Sequence, residues 1–357
     1  MLPTVDVIVV SYNHKRFMEA LFEGLLKSDY PKDRCRIFLV DNASQDGTAD
    51  EMSRLVDLYY DRLPPISVTA LQENTGFAGG NNLIMKASDA DYFYLLNPDA
   101  AFESSTLREI VEEAEKHPNT GSLQSLLVLM KDPSVINSTG NDIHFAGHGY
   151  CNGYLDPIAK APKSVLSISY ASGAGVLYRR SALEKVGYFD EVLFAYHEDL
   201  DLGWRLLIAG YENLLVPQSV LRHHYEFSRS IKKWYWMERN RGIVVLTMYR
   251  WPTIILLLPG LLAIEIVTWF FAILRGWIPE KVKATFWFFK LSSWKYLHAK
   301  RKEMKALRKV KDSEILKRFV FGITHQEADP WFMKNIANPL MGFYYRIVLA
   351  LLKGLGV

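Results

Sequence analysis

The first hundred residues of the chain alternate between short apolar runs and segments with a helical pattern. The runs are rich in β-branched and aromatic residues and predict buried strands at Val5–Val10, Arg36–Val40, Ile66–Leu71 and Tyr92–Leu96. Strands that alternate with helices build a parallel sheet through right-handed crossover connections. We therefore predict an α/β fold in which a mostly parallel sheet is flanked by helices.

Polar residues stand where each predicted strand ends. The segments are Ser11-Tyr12-Asn13, Asp41-Asn42, the Gly/Asn-rich stretch Glu73–Asn82, and Asn97-Pro98-Asp99. Ligands of open α/β sheets bind at this carboxyl edge. Because Pro98 has no N–H group and keeps Asn97 out of helical angles, it ends the fourth strand and holds Asp99 just beyond it. A carboxylate there suits a divalent cation that holds phosphate, although Asp99 could instead cap the helix beginning near Ser104–Thr106.

The second half of the chain adds further chemistry to this edge. A strand predicted at Leu214–Leu221 ends in His223-His224, and a helix predicted at Asp201–Ala209 follows Glu198-Asp199. A carboxylate for the base or ribose, a glycine loop for close backbone approach, and a carboxylate with an imidazole for a metal together describe a nucleotide-diphosphate pocket.

Six segments of this sequence match a known family in order between Val5 and Ser228. They are VDVIVVSYNH, FLVDNASQDGT, ENTGFAGGNN, YLLNPDA, ASGAGVLYRRSALEKVGYFDE and HEDLDLGWRLLIAGY. As a set they resemble glycosyltransferase family 2, the inverting nucleotide-sugar-dependent enzymes with the Rossmann-like GT-A fold, and look most like its rhamnosyltransferase-like members. The usual Asp-x-Asp reads Asn97-Pro98-Asp99, which leaves Asp99 as the main carboxylate. The absence of a Gln-x-x-Arg-Trp motif counts against a processive polymerase.

The resemblance implies roles on the donor side. Asp41 would contact the nucleobase, and the other residues implied at the nucleotide-sugar are Ser11, Tyr12, Asn13, Asn42, Gly76, Gly79, Asn81 and Asn97. Asp99 and His223 would bind Mg²⁺ or Mn²⁺ bridging the diphosphate, with His224 as the alternative to His223. A cation would stabilise the charge that develops on the leaving diphosphate.

The acceptor side requires a base that takes the proton of the attacking hydroxyl. Adjacent carboxylates raise each other's proton affinity, and we predict Asp199 as the base, with Glu198 and Asp201 as alternates. These three could also complement the positive end of the following helix. Gly173 and Ala174 would let the acceptor approach closely, and Arg205 would either shape the acceptor side or pack.

The last third of the chain changes in composition. Thr253–Leu274 runs 22 residues with one charge, Glu265, and one Pro-Gly, so its length and hydropathy allow a transmembrane helix. From Arg275 to Arg318 there are 14 Lys/Arg against 4 Asp/Glu, a local net charge of +10 within a chain of net charge +3. A single span would carry this block across the membrane.

We therefore expect a hairpin bent at Pro259-Gly260, or an in-plane helix pair, at an anionic membrane surface. A single span through 253–274 and a soluble apolar interface are the alternatives. An interfacial helix is predicted over Lys281–Leu297, with Trp287, Leu291 and Trp294 on one face, and Pro339–Leu352 is a further apolar stretch.

These patterns predict a catalytic domain at 1–230, with a nucleotide-sugar half at 1–100 and an acceptor half at 101–230, and a helical membrane-associating region at 231–357. The expected partners are a nucleotide-sugar donor, a lipid-linked glycan acceptor and the cytoplasmic face of a membrane, not nucleic acid, and a homo-oligomer is left open. Two cysteines fit a reducing compartment. The alternatives are a polyprenyl-phosphate monosaccharide synthase and a non-catalytic sugar-nucleotide-binding component of a glycan assembly complex.

Overall fold

The computed structural model describes residues 2–225, 233–322, 331 and 333–357. Among these residues two compact units are distinguished, one containing 2–141, 151–206 and 211–225, and the other containing 142–150, 207–210 and the described residues from 233 onward. The predicted junction at 230–231 and Ser228, the end of the family resemblance, lie outside the described residues. The sequence patterns did not indicate that 142–150 belongs with the C-terminal unit.

The strands, numbered along the described chain, are mostly short. They are β1 (Val5–Ser11), β2 (Cys35–Asp41), β3 (Ile66–Ala70), β4 (Tyr92–Leu96), β5 (Ala100–Phe102), β6 (Thr120–Leu129), β7 (Ile136–Ser138), β8 (Asn141–Ile143), β9 (Gly149–Cys151), β10 (Leu166–Ser167), β11 (Gly175–Arg179) and β12 (Glu212–His223). The helices of the first unit are α1 (Met18–Lys27), α2 (Thr48–Tyr59), α3 (Gly76–Met85), α4 (Thr106–Lys116), α5 (Arg180–Val186) and α6 (Glu198–Ile208).

The described residues form one ten-stranded sheet in the order β10-β12-β6-β11-β4-β1-β2-β3, with β5 on β12 and β7 on β6, and a separate pair, β8-β9. Strands β1 to β4 pair in parallel, as do β6 and β12, whereas β11 lies antiparallel between β4 and β6. Every residue of β1 and β4 is buried, as a sheet covered on both faces requires. The predicted mostly parallel α/β architecture is confirmed.

Strand register brings the polar strand ends together. Ser11 lies opposite Asp41 at the ends of β1 and β2. Antiparallel β11 begins with Gly175 opposite Leu96, so the segment before β11 runs beside the corner after β4. His223, at the end of β12, lies opposite Ala100 of β5.

Two helices of the first unit begin earlier than their sequence patterns predict. Helix α3 starts at Gly76, so most of the Gly/Asn-rich stretch, which was predicted as a glycine loop, is helix. Helix α6 starts at Glu198 rather than Asp201, which places the acidic trio in its first turn.

The second unit is helical. Its elements are α7 (Lys233–Met248), α8 (Trp251–Leu274), α9 (Ile278–Trp287), α10 (Leu291–Leu307), α11 (Asp312–Leu316) and α12 (Asn338–Gly354). By length and composition, α8 could cross a membrane, and it is the one helix of that kind in the part of the chain described. The prediction of one continuous interfacial helix over 281–297 is wrong, because α9 ends at Trp287 and α10 begins at Leu291. The Trp294 indole donates to the Phe288 carbonyl at 2.7 Å and so satisfies a backbone group at this break.

The predicted hairpin at Pro259-Gly260 is also wrong, since α8 continues through Pro259. The hydroxyl of Tyr344, in α12, donates to the Leu256 carbonyl at 2.6 Å and accepts from the Gly260 N–H at 3.4 Å. In an unbroken helix that N–H and that carbonyl would bond to each other. The inserted hydroxyl therefore satisfies both groups where the proline disturbs the helix.

Candidate active site

The ends of β1 and β2 form a polar corner with unused hydrogen-bonding capacity. Asp41 and Ser11 are buried, and Asp41 Oδ2 accepts the Ser44 N–H at 3.0 Å. Asp41 Oδ1 and Ser11 Oγ have no hydrogen-bond partner among the described residues. Because buried polar atoms are nearly always paired, these two atoms indicate a place where a polar ligand binds.

Asn13 joins the loop after β1 to the loop after β2. Asn13 adopts a left-handed backbone angle, with φ of 59°, and its Oδ1 accepts the Gln45 N–H at 2.8 Å. Tyr12 beside it is 44% exposed. The corner therefore joins the two strand ends and leaves one aromatic side chain open to a ligand.

Asn42 fixes the start of α3. Its Nδ2 donates to Asn74 Oδ1 at 3.1 Å and to the Gly76 carbonyl at 3.0 Å, and its Oδ1 accepts from the Thr75 N–H at 2.9 Å and from Thr75 Oγ1 at 3.1 Å. With its amide committed in this way and its side chain buried, Asn42 positions the helix start rather than reaching a ligand.

Protein atoms occupy the space beside the glycines of α3. A Cβ on Gly76 would lie 2.3 Å from the Phe194 carbonyl oxygen, and one on Gly79 would lie 2.7 Å from Thr75 Cβ. Gly76 also has φ of 74°, which favours glycine. Asn81, one turn on, is buried and donates to the Phe77 carbonyl at 2.9 Å, and its Oδ1 has no hydrogen-bond partner among the described residues. The two glycines thus serve close packing within the protein.

The corner after β4 meets the end of β12. Asp99 Oδ1 lies 3.3 Å from His223 Nε2, and Asn97 Nδ2 lies 3.4 Å from the same nitrogen. On its other side, His223 Nδ1 lies 2.8 Å from Asn137 Oδ1, an acceptor that assigns the ring proton to Nδ1. The structure therefore brings His223 against Asp99, whereas the His224 ring lies 5.0 Å from the Phe17 ring.

This arrangement leaves Nε2 of His223 facing a carboxylate oxygen of Asp99. A proton or a cation between these two atoms would stabilise their close approach. Burial alone would raise the pKa of Asp99, but the hydrogen bond and charge of His223, with the charge of His14, lower it below its ordinary value. Among the described residues, no group of three or more His, Cys, Asp or Glu side chains could hold a metal ion. Asp99 and His223 are thus a partial ligand set that ligand oxygens would have to complete.

Backbone hydrogen bonds connect this corner to the acidic start of α6. The Asn97 N–H donates to the Ala174 carbonyl at 3.1 Å. One residue earlier, the Gly173 N–H donates to Asp199 Oδ2 at 3.3 Å, and Asp199 Oδ1 accepts the Leu200 N–H at 2.8 Å. A Cβ on Gly173 would lie 2.8 Å from Phe77 Cζ, so a larger residue there would require the Phe77 ring to move. The segment before β11 therefore links Asn97 to Asp199.

The two adjacent carboxyl groups differ in exposure. Glu198 is buried, whereas Asp199 is partly exposed. Burial raises the pKa of Asp199 to about 6, against the opposing hydrogen bonds from Gly173 and Leu200. Burial, together with the charge of Asp199, raises the pKa of Glu198 well above its ordinary value. At neutral pH Asp199 can therefore accept a proton, and Glu198 holds its own proton more tightly than an exposed glutamic acid does.

Asp201 and Arg205 form an interior ion pair and not an accessible surface. Their side chains are each 1% exposed, and Arg205 Nε donates to Asp201 Oδ2 at 2.7 Å. Arg205 also donates to the carbonyls of Val186, Gly187 and Tyr188 at 2.7, 2.9 and 2.8 Å. We replace the acceptor-side prediction for these two residues with a positioning role, since an acceptor has no access to the guanidinium.

Two residues of the site did not stand out in the sequence. Asn137, on β7, holds the His223 ring, and the Phe194 backbone packs against Gly76 and accepts the Ala78 N–H at 3.2 Å. Asn137 is buried in the structure, but nothing in the sequence connected it to a histidine 86 positions later.

Comparisons with known proteins agree with this geometry. The family model described as Glycosyl transferase family 2 matches residues 6–187, more than half of the chain. N-acetylglucosaminyl-diphospho-decaprenol L-rhamnosyltransferase from Mycobacterium tuberculosis (strain ATCC 25618 / H37Rv) is 26% identical over 249 residues, which cover 63% of this chain and 77% of the relative.

Two solved structures show the same fold. The mannosyltransferase PcManGT from Pyrobaculum calidifontis, in complex with GDP-Man and Mn²⁺, is 16% identical with a TM-score of 0.52, covering 98% of this chain and 87% of its own. GalNAc-T7 with UDP, GalNAc and Mn²⁺ is 14% identical with a TM-score of 0.56, covering 70% of this chain, which spans only 49% of GalNAc-T7. These similarities confirm the predicted GT-A fold. The matched segments, the fold and the family model together establish that the chain belongs to glycosyltransferase family 2.

Proposed function

We propose that this chain is an inverting, metal-dependent glycosyltransferase that moves a sugar from a nucleoside-diphosphate donor to a hydroxyl of a polyprenyl-linked glycan. The observation that carries the proposal is the hydrogen-bonded path from Asn97 through Ala174 and Gly173 to Asp199. This path supports a candidate diphosphate site after β4 and a candidate base in the first turn of α6, linked through the segment before β11.

On the donor side, the nucleobase binds at the corner of Ser11, Asp41 and Tyr12. Asp41 Oδ1 and Ser11 Oγ, which have no hydrogen-bond partner among the described residues, support this placement. The edge of a nucleobase offers the donors and acceptors that these two atoms could bond to. The shape of the pocket depends on contacts that hold its loops and the start of α3. The residues that make these contacts are Asn13, Asn42, Gly76, Gly79 and Asn81.

Mg²⁺ or Mn²⁺ would be held by Asp99 and His223, with Asn97 beside them. Asp99 Oδ1 and His223 Nε2, 3.3 Å apart, suit a divalent cation but would supply only part of its ligands. A bound cation supplies charge stabilisation for the leaving diphosphate. Asn137 keeps the His223 ring oriented, which is the usual task of a partner behind a metal-binding histidine.

Asp199 acts as the general base. It accepts the proton of the acceptor hydroxyl while that oxygen forms its bond to the anomeric carbon and the bond to the diphosphate breaks, so the anomeric configuration inverts. Its raised pKa suits proton transfer near neutrality, and Gly173 and Leu200 hold its two oxygens in place.

The acceptor assignment comes from the mycobacterial relative, whose name specifies a decaprenol-linked substrate. The acceptor approaches along Gly173 and Ala174. We assign catalysis to 1–230 and membrane association at the cytoplasmic face to 231–357, and the lack of a Gln-x-x-Arg-Trp motif favours addition of a single sugar.

The test begins with a panel of nucleotide-sugars, scored by thermal stabilisation and by donor hydrolysis with Mn²⁺ present and after chelation. The active donor is then used with polyprenyl-diphosphate-linked saccharides, and NMR assigns the anomeric configuration of the product. Asp99→Asn should abolish metal-dependent donor binding, whereas the exposed control Asp57→Asn in α2 should not. Full transfer in excess chelator, or a product with retained configuration, would contradict the proposal.

A further inference from the structure

Helix α8 carries a continuous apolar stripe on its outer side. The exposed side chains follow helical spacing of three and four, and they are Trp251, Ile255, Leu258, Leu262, Ile266 and Phe270. Most of these are half or more exposed, with Ile266 at 70%. A soluble surface rarely presents an apolar stripe that runs the length of a 24-residue helix.

Helix α12 carries a second stripe of the same kind. Leu340, Phe343, Ile347 and Leu351 are exposed at the same spacing. The two helices pack together, because the Tyr344 hydroxyl of α12 bonds to the α8 backbone. Tyr344 follows the exposed Phe343 and precedes the buried Tyr345 in the sequence. The two apolar stripes therefore belong to neighbouring helices.

The opposite side of α8 is attached to the protein by polar contacts. Near its beginning, Thr253 Oγ1 donates to Asp312 Oδ2 at 2.6 Å. Just past its midpoint, Glu265 accepts from Arg241 at 2.6 Å and from Lys281 at 2.8 Å. Arg241 and Lys281 are buried, and both also contact Glu238.

These contacts decide between crossing a membrane and lying on it. A helix of this length, about 36 Å, could span a bilayer alone only if its sides met lipid all round. Crossing would place the four-charge cluster of Glu238, Arg241, Glu265 and Lys281 at bilayer depth or break it, and either is costly. Lying in the interface leaves the cluster on the protein side and turns only the apolar stripe toward lipid.

The charges near the stripes indicate which surface is bound. Around the break between α9 and α10, exposed Phe289, Leu291 and Trp294 alternate with exposed Lys290 and Lys295. Apolar side chains that enter the acyl boundary beside lysines at headgroup level are typical of binding to anionic lipid.

We propose that α8 and α12 together form a docking face for an anionic phospholipid bilayer, with α8 lying in the plane of the membrane and not crossing it. The α9–α10 junction, Phe286–Lys295, supplies basic contacts to the headgroups. This inference does not depend on the proposed transfer reaction.

The first experiment measures sidedness. Arg250→Cys and Arg275→Cys place a thiol at each end of α8, and a membrane-impermeant maleimide is added to sealed vesicles prepared from membranes of expressing cells. Both thiols should react equally and without permeabilisation in vesicles of one orientation, with wild-type protein measuring the background of Cys35 and Cys151. Labelling of one end only until detergent is added would overturn the in-plane arrangement.

The second experiment measures binding to phosphatidylcholine vesicles with and without phosphatidylglycerol. Phe343→Glu on α12 and Ile266→Glu on α8 should each lower the partition coefficient on anionic vesicles by about tenfold or more, because each places a charge at the acyl boundary. The matched control Leu58→Glu, an exposed apolar residue of the first unit, should leave binding unchanged. Lys290→Glu with Lys295→Glu should weaken binding to anionic vesicles only.

Two outcomes would refute the docking face. If Ile266→Glu alone released the protein and Phe343→Glu did not, α12 would have no part in the face. If the protein were a lipid-independent dimer that either substitution dissociated, a second copy and not a bilayer would cover the stripes. Sedimentation of the purified variants and their circular dichroism distinguish these results from misfolding.

Discussion

Substitution of Glu198 and Asp199 in turn tests which of these two adjacent carboxyl groups is the catalytic base. Because burial and the charge of Asp199 favour the protonated form of Glu198, Glu198→Gln replaces that neutral acid with a neutral amide of the same shape. We expect its kcat/KM at pH 7 to stay within about threefold of wild type. Asp199→Asn removes the proton acceptor and should lower kcat/KM by about 100- to 10,000-fold.

The pKa of about 6 for Asp199 also sets a pH profile. A base must be deprotonated, so kcat/KM should fall as the pH drops through 6, to about one tenth of the plateau at pH 5. Both carboxyls have pKa values raised on folding, so each contributes stability that is present below its ordinary pKa and lost as the pH rises through the folded value. Glu198→Gln should therefore flatten the decline of Tm with rising pH.

The assay follows radiolabelled sugar transfer to the acceptor from pH 4.5 to 8.5, with the exposed Asp57→Asn as the control for a generic loss of negative charge. Donor binding measured by calorimetry should be similar in all three variants, since neither Glu198 nor Asp199 lies at the diphosphate. Full activity of Asp199→Asn, or a rate that does not vary from pH 5 to 8, would refute the assignment of the base. An equal collapse of Glu198→Gln would show that the two groups act as one proton-sharing pair.

Three other substitutions test the site's construction. Gly76→Ala should lower the free energy of unfolding, measured in urea, more than Gly276→Ala does. Both glycines have φ of 74°, but only Gly76 has a backbone oxygen, 2.3 Å away, in the path of a Cβ. Equal losses would mean that backbone strain is the whole effect. Arg205→Met should lower the free energy of unfolding by about 3–5 kcal/mol, since it leaves a buried carboxylate unpaired, and a Tm unchanged by the substitution would contradict this. His223→Ala should weaken Mn²⁺ binding in the presence of the donor's nucleoside diphosphate by about tenfold or more, and His224→Ala should not, as calorimetry would measure.

The sequence allowed the sheet and one edge of it to be predicted, because both depend on local patterns. Apolar runs mark β1 to β4, and parallel strands necessarily end at a common edge, so Asp41 and Asp99 could be placed there before any coordinates. The pairing of Asp99 with His223 was expected only from the family resemblance, with His224 as the alternative. In the structure, β12 ends opposite β5, immediately after Asp99.

The remaining features depend on contacts between distant segments. Asn42 looks like a ligand residue at a strand end, but its four hydrogen bonds are to the start of α3. Arg205 carries a charge that suggests an exposed acceptor surface, yet three carbonyls and Asp201 enclose it. Neither arrangement has a local sequence signature. In both cases a polar side chain satisfies the protein's own backbone.

The Tyr344 hydroxyl between Leu256 and Gly260 has a consequence for the order in which the chain is made. Tyr344 follows Gly260 by 84 residues. At a synthesis rate of about 5–20 residues per second, Gly260 is made about 4–17 s before Tyr344. During this interval Tyr344 cannot bridge the Leu256 carbonyl and the Gly260 N–H. Helix α8 can therefore complete its hydrogen bonds around Pro259 only after α12 has been synthesised.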